Sequence, residues 1–199
     1  VIKTPGVIMN IYVFMNVAKF DIVPGSMIQI MSTTDNIGAV LRSHLICEQL
    51  AEAWVCGVCN NENVFGSDED RVRIECDAKL KIARNLGLPV PLYNAMKRLN
   101  TLRNLFAHTH QTDIDDSVIT SIADNIRNMT EDRTLIGMRD PEIQIYGEDG
   151  SVATDYLFSS PGTPNRLKLG VLAAEIIRHT IQKAVDINTA RSSSDFRVR

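Results

Sequence analysis

The sequence predicts an all-α protein, an antiparallel bundle of about five helices with a small hairpin or extended insertion. Apolar residues recur at the 3.6-residue period in about five separate stretches. Capping and stop residues flank those stretches, as in "LGLPVP" at 86–91. Only "EIQIYGEDGSVATDYLF", 142–158, alternates with the two-residue period of a strand.

The elements follow in order. "VIMNIYVFMNVAKF", 7–20, is apolar but too short and interrupted to span a bilayer. No small-residue cleavage site follows it, which argues against a signal peptide. The chain opens on Val1, and "MSTTDNIGAV" from Met31 reads most like a natural beginning. Residues 1–31 are therefore expected to be an N-terminal extension, and 32–188 the helical domain. A helix is predicted over Asp35–Cys59, capped by Thr33, Thr34 or Asp35, with Ile37, Val40, Leu41, Ala51, Val55 and Val58 on one face. A second, about Arg73 to Leu86, stops at Gly87. A third runs from Pro91 to about Ala107, with Leu92, Ala95, Met96, Leu99, Leu102 and Phe106 as its stripe. The fourth, within 113–129, begins with acids that favour a helix N-terminus. After the hairpin comes a last helix, about Arg166 to Ile187, apolar over so much of its circumference that it must pack on more than one side. The tail 189–199 is expected to be disordered.

Composition bounds the function. The chain has 199 residues, 44% hydrophobic and 23% charged, which is enough for one domain with a real core. Its formal net charge of −3 excludes a sequence-blind nucleic-acid coat but leaves room for a small basic cleft. Cys47, Cys56, Cys59 and Cys76 follow no secretory spacing and are expected to be reduced thiols of a cytoplasmic protein. Cys56-x-x-Cys59 lies downstream of His44-x-x-Cys47, yet four ligands along one continuous helix cannot converge on a tetrahedral ion. Without help from Cys76 or a second chain no metal site results, so neither metal nor cofactor is expected.

Polar residues that interrupt the apolar pattern point to a site. On a helical wheel Arg103 falls within about 50° of the centre of the third helix's stripe. Glu48, with His44 beside it, falls near the centre of the first helix's stripe. A lone buried charge is costly, so Glu48 and Arg103 are expected to meet. Such a pair either fixes helix register or organises a site. Asn100, Asn104 and His108 lie on another face, four residues apart. His108 is then either a dipole-favoured helix end or a reactive group.

The string "RNLFAH", Arg103 to His108, at the end of an amphipathic helix in an all-α bundle resembles the HEPN superfamily. "LRSHLICEQLAEAW" (41–54), "AKLKIARNLGL" (78–88) and "LYNAMKRLNTLRNLFAH" (92–108) are similar to the mannitol operon repressor family, which lies close to it. The resemblance implies a homodimer with the third helices facing each other across a two-fold axis. It implies a metal-independent endoribonuclease, with a toxin or defence role and an antitoxin-like protein partner. Arg103 would hold the phosphate, His108 would move the proton of the ribose 2′-hydroxyl, and Asn104 would orient it. Glu48 would support the site, and Lys97 and Arg98 would bind RNA. In a straight helix Arg103 and His108 point about 140° apart, so the helix end distorts or two subunits share the site. The alternative from the same resemblance is a non-catalytic transcriptional regulator or interaction protein. No helix-turn-helix with a basic reading helix supports direct operator binding.

Overall fold

A computed structural model describes residues 7–67, 69–70, 72–129, 140–146 and 150–195, without the side chains of 153 and 191–195. Seven helices and one hairpin are present among the described residues: α1 Ile11–Ala18, α2 Val23–Ser32, α3 Asn36–Cys59, α4 Cys76–Asn85, α5 Val90–His108, α6 Asp116–Arg127, β1 Glu142–Tyr146, β2 Val152–Leu157 and α7 Asn165–Asp195. The all-α bundle with a small hairpin insertion is therefore the fold.

The helix starts and stops have local causes. The Asp35 carboxylate accepts from the Ile37 and Gly38 amides at 2.9 and 2.8 Å, filling donors that α3 leaves open. After α4, Gly87 adopts φ +91°, a left-handed conformation that glycine takes at little cost. Pro91 sits in the first turn of α5, where its missing N–H has no helical partner to lose.

The centre of the fold is α3, which packs against α1, α2, α4, α5 and α7. Every residue from Leu50 to Gly57 is buried, including Trp54, whose indole Nε1 donates to the Leu86 carbonyl at 3.2 Å. A helix enclosed on all sides has no single apolar stripe. The predicted face is accordingly displaced at the N-terminal end of α3, where Ile37 and Leu41 are each 39% exposed.

Residues 7–32 do more than extend the domain. Met9, Phe14, Ala18 and Ile30 belong to the hydrophobic core. The Asn10 amide donates to the Gly57 carbonyl at 2.9 Å. A Cβ at Gly57 would run into the Met9 sulfur and Phe14, so the missing side chain is what lets the segment approach α3. The bundle consequently has two more helices than the periodicity suggested. No single helix among the described residues is long and apolar enough to cross a membrane; α1 and α2 pass on composition only as a pair, bent by 44°.

At the other end, α7 packs on α1, α2, α3, α5 and α6. Its wide apolar circumference is thus used within the chain and gives no separate reason for a dimer. The helix continues to Asp195 instead of giving way to disorder at 189, and 196–199 lie outside the described residues. The hairpin pairs Glu142 with Leu157 and Ile145 with Thr154, with an irregularity at Tyr146. The Glu148-Asp149 part of its turn also lies outside the described residues.

If α1 is part of the core, Phe14→Ala lowers the unfolding free energy by about 3–5 kcal/mol, as for other buried phenylalanines. Urea denaturation followed by circular dichroism measures it; a loss below about 1 kcal/mol would mean that the segment packs only loosely.

Candidate functional site

Three helices wall a cleft of about 510 Å³. From α3 come His44 and Glu48. The start of α4 supplies Glu75, Cys76 and Asp77. The last turns of α5 supply Asn100, Arg103, Asn104 and His108. Arg103, Asn104, His108 and Glu48, singled out in the sequence, therefore line one space. Lys97 and Arg98 do not. They line a neighbouring depression with Asn94, Thr101 and Asn125. Lys97 reaches back as far as Asp77, 3.9 Å away, and lies 5.6 Å from the Tyr93 ring centre.

The expected Glu48–Arg103 ion pair is not formed. Lys79 of α4 takes the place assigned to Arg103: its Nζ donates to Glu48 Oε1 at 2.8 Å and to Glu52 Oε2 at 2.9 Å. Lys79 is 6% exposed and Glu52 8%. Burial lowers the tendency of Lys79 to carry charge, but its hydrogen bonds to Glu48 and Glu52 reverse this and hold the proton above the ordinary 10.5. The wheel argument found a carboxylate that needed a cation but chose the wrong helix to provide it. A second signal was available: His44, Glu48 and Glu52 recur every four residues, so they share one face of α3. Lys79 stands between Cys76, Leu80 and Ala83, the buried residues of α4.

Arg103 is left for the cleft. Its Nη1 donates to Asn104 Oδ1 at 3.0 Å, while the buried Nε has no acceptor. A buried donor without a partner is uncommon and costs free energy. The half-buried guanidinium thus offers unsatisfied hydrogen-bonding capacity beside the exposed Asn104 and His108. His108 is the last residue of α5; at Thr109 the chain turns extended, and the Thr109 hydroxyl donates to the Leu105 carbonyl at 2.7 Å. Arg103 and His108 reach one cleft because it spans the end of the helix.

Deeper in, His44 Nε2 is 3.0 Å from Asn100 Oδ1, and both residues are buried. Burial lowers the His44 pKa, with Arg103 acting the same way against the Asn100 hydrogen bond and Glu48. Burial pushes the Cys76 thiol up to about 12, reinforced by Glu48 and opposed by Lys79 and Arg103. Among the described residues, ligand-type atoms of His44, Glu48 and Cys76 lie within 4.8 Å of one another. The sequence reading, centred on Cys56 and Cys59 with Cys76 as an outside helper, did not combine His44 and Cys76 with Glu48, because Cys76 arrives from another helix.

Comparison with protein-family models, with characterised proteins and with solved structures finds no match.

Two expectations separate the roles of the cations. Lys79→Met leaves two carboxylates facing each other and should cost about 3–5 kcal/mol in urea denaturation. The wild type should also lose stability as pH rises past 10.5, because a raised folded-state pKa stabilises only while the proton is bound. Arg103→Ala removes an unsatisfied donor rather than half of an ion pair, so its stability should stay within about 1 kcal/mol of wild type. A larger loss would assign Arg103 a structural role.

Proposed function

We propose that the cleft at the end of α5 is the phosphodiester-cleaving site of a metal-independent, HEPN-type endoribonuclease. The observation that carries this reading is the Arg103 guanidinium: it lines the cleft and retains a buried donor without an acceptor, beside Asn104 and His108. A guanidinium suits the planar, charge-assisted recognition of phosphate, and a shift of the Arg103 side chain would bring the buried Nε to a phosphate oxygen that satisfies it. In this mechanism His108 accepts the proton of the ribose 2′-hydroxyl. The 2′-oxygen attacks the adjacent phosphorus and the bond to the 5′-oxygen breaks. Arg103 stabilises the charge that develops on the phosphoryl oxygens. The leaving 5′-oxygen takes up a proton, giving a 2′,3′-cyclic phosphate and a 5′-hydroxyl. Asn104, bonded to Arg103 at 3.0 Å, orients the guanidinium.

Lys97 and Arg98 extend the positive surface along α5 and would guide the RNA backbone outside the cleft. The active unit in this reading is a homodimer that completes the cleft. Three of the four free thiols are buried, an arrangement suited to the reducing cytoplasm. A toxin or defence role with a protein antitoxin belongs to the same reading.

One observation favours the non-catalytic regulator: Glu48, Glu75 and Asp77 also line the cleft and would repel a polyanion. Incubating the purified protein with single-stranded RNA in chelator decides between the two. The nuclease produces fragments ending in 2′,3′-cyclic phosphate, and His108→Ala abolishes them while preserving the helical circular dichroism signal. Equal cleavage by wild type and His108→Ala would mark a contaminant and leave the regulator. Sedimentation at micromolar concentration tests the dimer; a monomer there would contradict a shared cleft.

A further inference from the structure

We infer that His44, Glu48 and Cys76 form a zinc-binding site on the inner wall of the cleft, with its fourth coordination position open. This goes beyond the nuclease reading and stands without it. One nitrogen, one oxygen and one sulfur ligand form a set that suits zinc, whereas magnesium and calcium take oxygen ligands. His44 and Glu48 are four residues apart on α3 and so project from one face. Cys76 is the first residue of α4 and brings the sulfur from across the cleft.

The ligand-type atoms all lie within 4.8 Å of one another. Around a tetrahedral zinc, bonds of about 2.0–2.3 Å place neighbouring ligand atoms roughly 3.3–3.8 Å apart. Closing the difference takes a side-chain adjustment of about 1 Å, not a movement of the helices.

Two outer contacts prepare the ligands. Asn100 Oδ1 can only accept, so the 3.0 Å bond assigns the proton of neutral His44 to Nε2 and leaves the Nδ1 lone pair for the metal. Lys79 holds Glu48 Oε1 at 2.8 Å, orienting the carboxylate and leaving Oε2 as the second donor oxygen. On binding, Zn²⁺ forms a bond to the Cys76 sulfur as the S–H bond gives up its proton to solvent. No electron is transferred. One thiolate, one carboxylate and a neutral imidazole balance the charge of the ion, so the loaded site is neutral; because Glu48 is already ionised in its pair with Lys79, binding Zn²⁺ and releasing one proton adds one positive charge beside Arg103. All three ligands line the cleft, where water would occupy the remaining position.

Cobalt titration of the full, thiol-reduced chain tests the assignment. One Co²⁺ per chain should bind with a near-ultraviolet thiolate-to-cobalt charge-transfer band, and added Zn²⁺ should displace it. Cys76→Ser should abolish the band and weaken zinc binding at least tenfold. Asn100→Leu touches no metal, yet should weaken binding by about 10–100-fold through loss of the His44 orientation. Cys59→Ser should change neither quantity. Circular dichroism checks the fold of each variant; if Cys76→Ser loses its helical signal, Glu48→Gln takes its place with the same tenfold loss expected. Absence of a thiolate band would overturn the proposal, as would a band that survives Cys76→Ser and disappears in Cys59→Ser. RNA cleavage enters none of these readouts, so failure of the zinc site and failure of the nuclease reading are separate results.

Discussion

The ammonium of Lys79 sits between two carboxylates of α3, at 2.8 Å from Glu48 and 2.9 Å from Glu52. The arrangement ties α4 to the central helix at the edge of the core and determines what the cleft contains. With two carboxylates sharing one cation, the desolvated charges of the α3–α4 contact find partners within that contact. Arg103, one helix further on, is not needed to compensate them. Had Glu48 paired with Arg103, the guanidinium would have been drawn into the framework and its hydrogen-bonding capacity consumed. The buried ion cluster instead leaves an arginine facing the cleft with a donor unused.

The cleft is chemically divided. Its outer part, at the end of α5, carries Arg103, Asn104 and the exposed His108. Its inner part carries buried His44 and Cys76 beside Glu48, with Asn100 and Lys79 as their hydrogen-bonding supports. Burial favours the neutral form of both His44 and Cys76, whereas His108 remains in contact with solvent. Two histidines in one cleft thus have different chemical circumstances. The outer one is open to solvent, and the inner one is held by an amide oxygen.

The N-terminal segment carries a separate lesson about packing. Helices α1 and α2 are short and almost without charge, features shared by a membrane-associated segment and a core element. Their place is decided by partners far along the chain: Gly57 admits Met9 and Phe14, and α2 packs on both α3 and α7. The apolar circumference of α7 is explained in the same way, because it faces several helices of its own chain.

The periodicity of the apolar residues was sufficient to establish the all-α class; Gly87 and Pro91 marked helix ends that the structure retains, and of the three cap candidates Thr33, Thr34 and Asp35 the structure uses Asp35. The sequence also singled out Arg103, Asn104 and His108, because polar groups in and beside an apolar stripe stand out without knowledge of their neighbours. It could not determine which cation meets Glu48. A helical wheel gives the direction of a side chain about its own axis, but not which helix lies opposite or at what height. Only the packing of α4 against α3 placed Lys79 there. The same limit applies to His44, Glu48 and Cys76: two are related by helical spacing and are legible as a pair, while the third is 28 residues further along and reaches them through tertiary structure alone. Local periodicity determined the elements, and long-range packing decided which charges are neutralised and which remain available for chemistry.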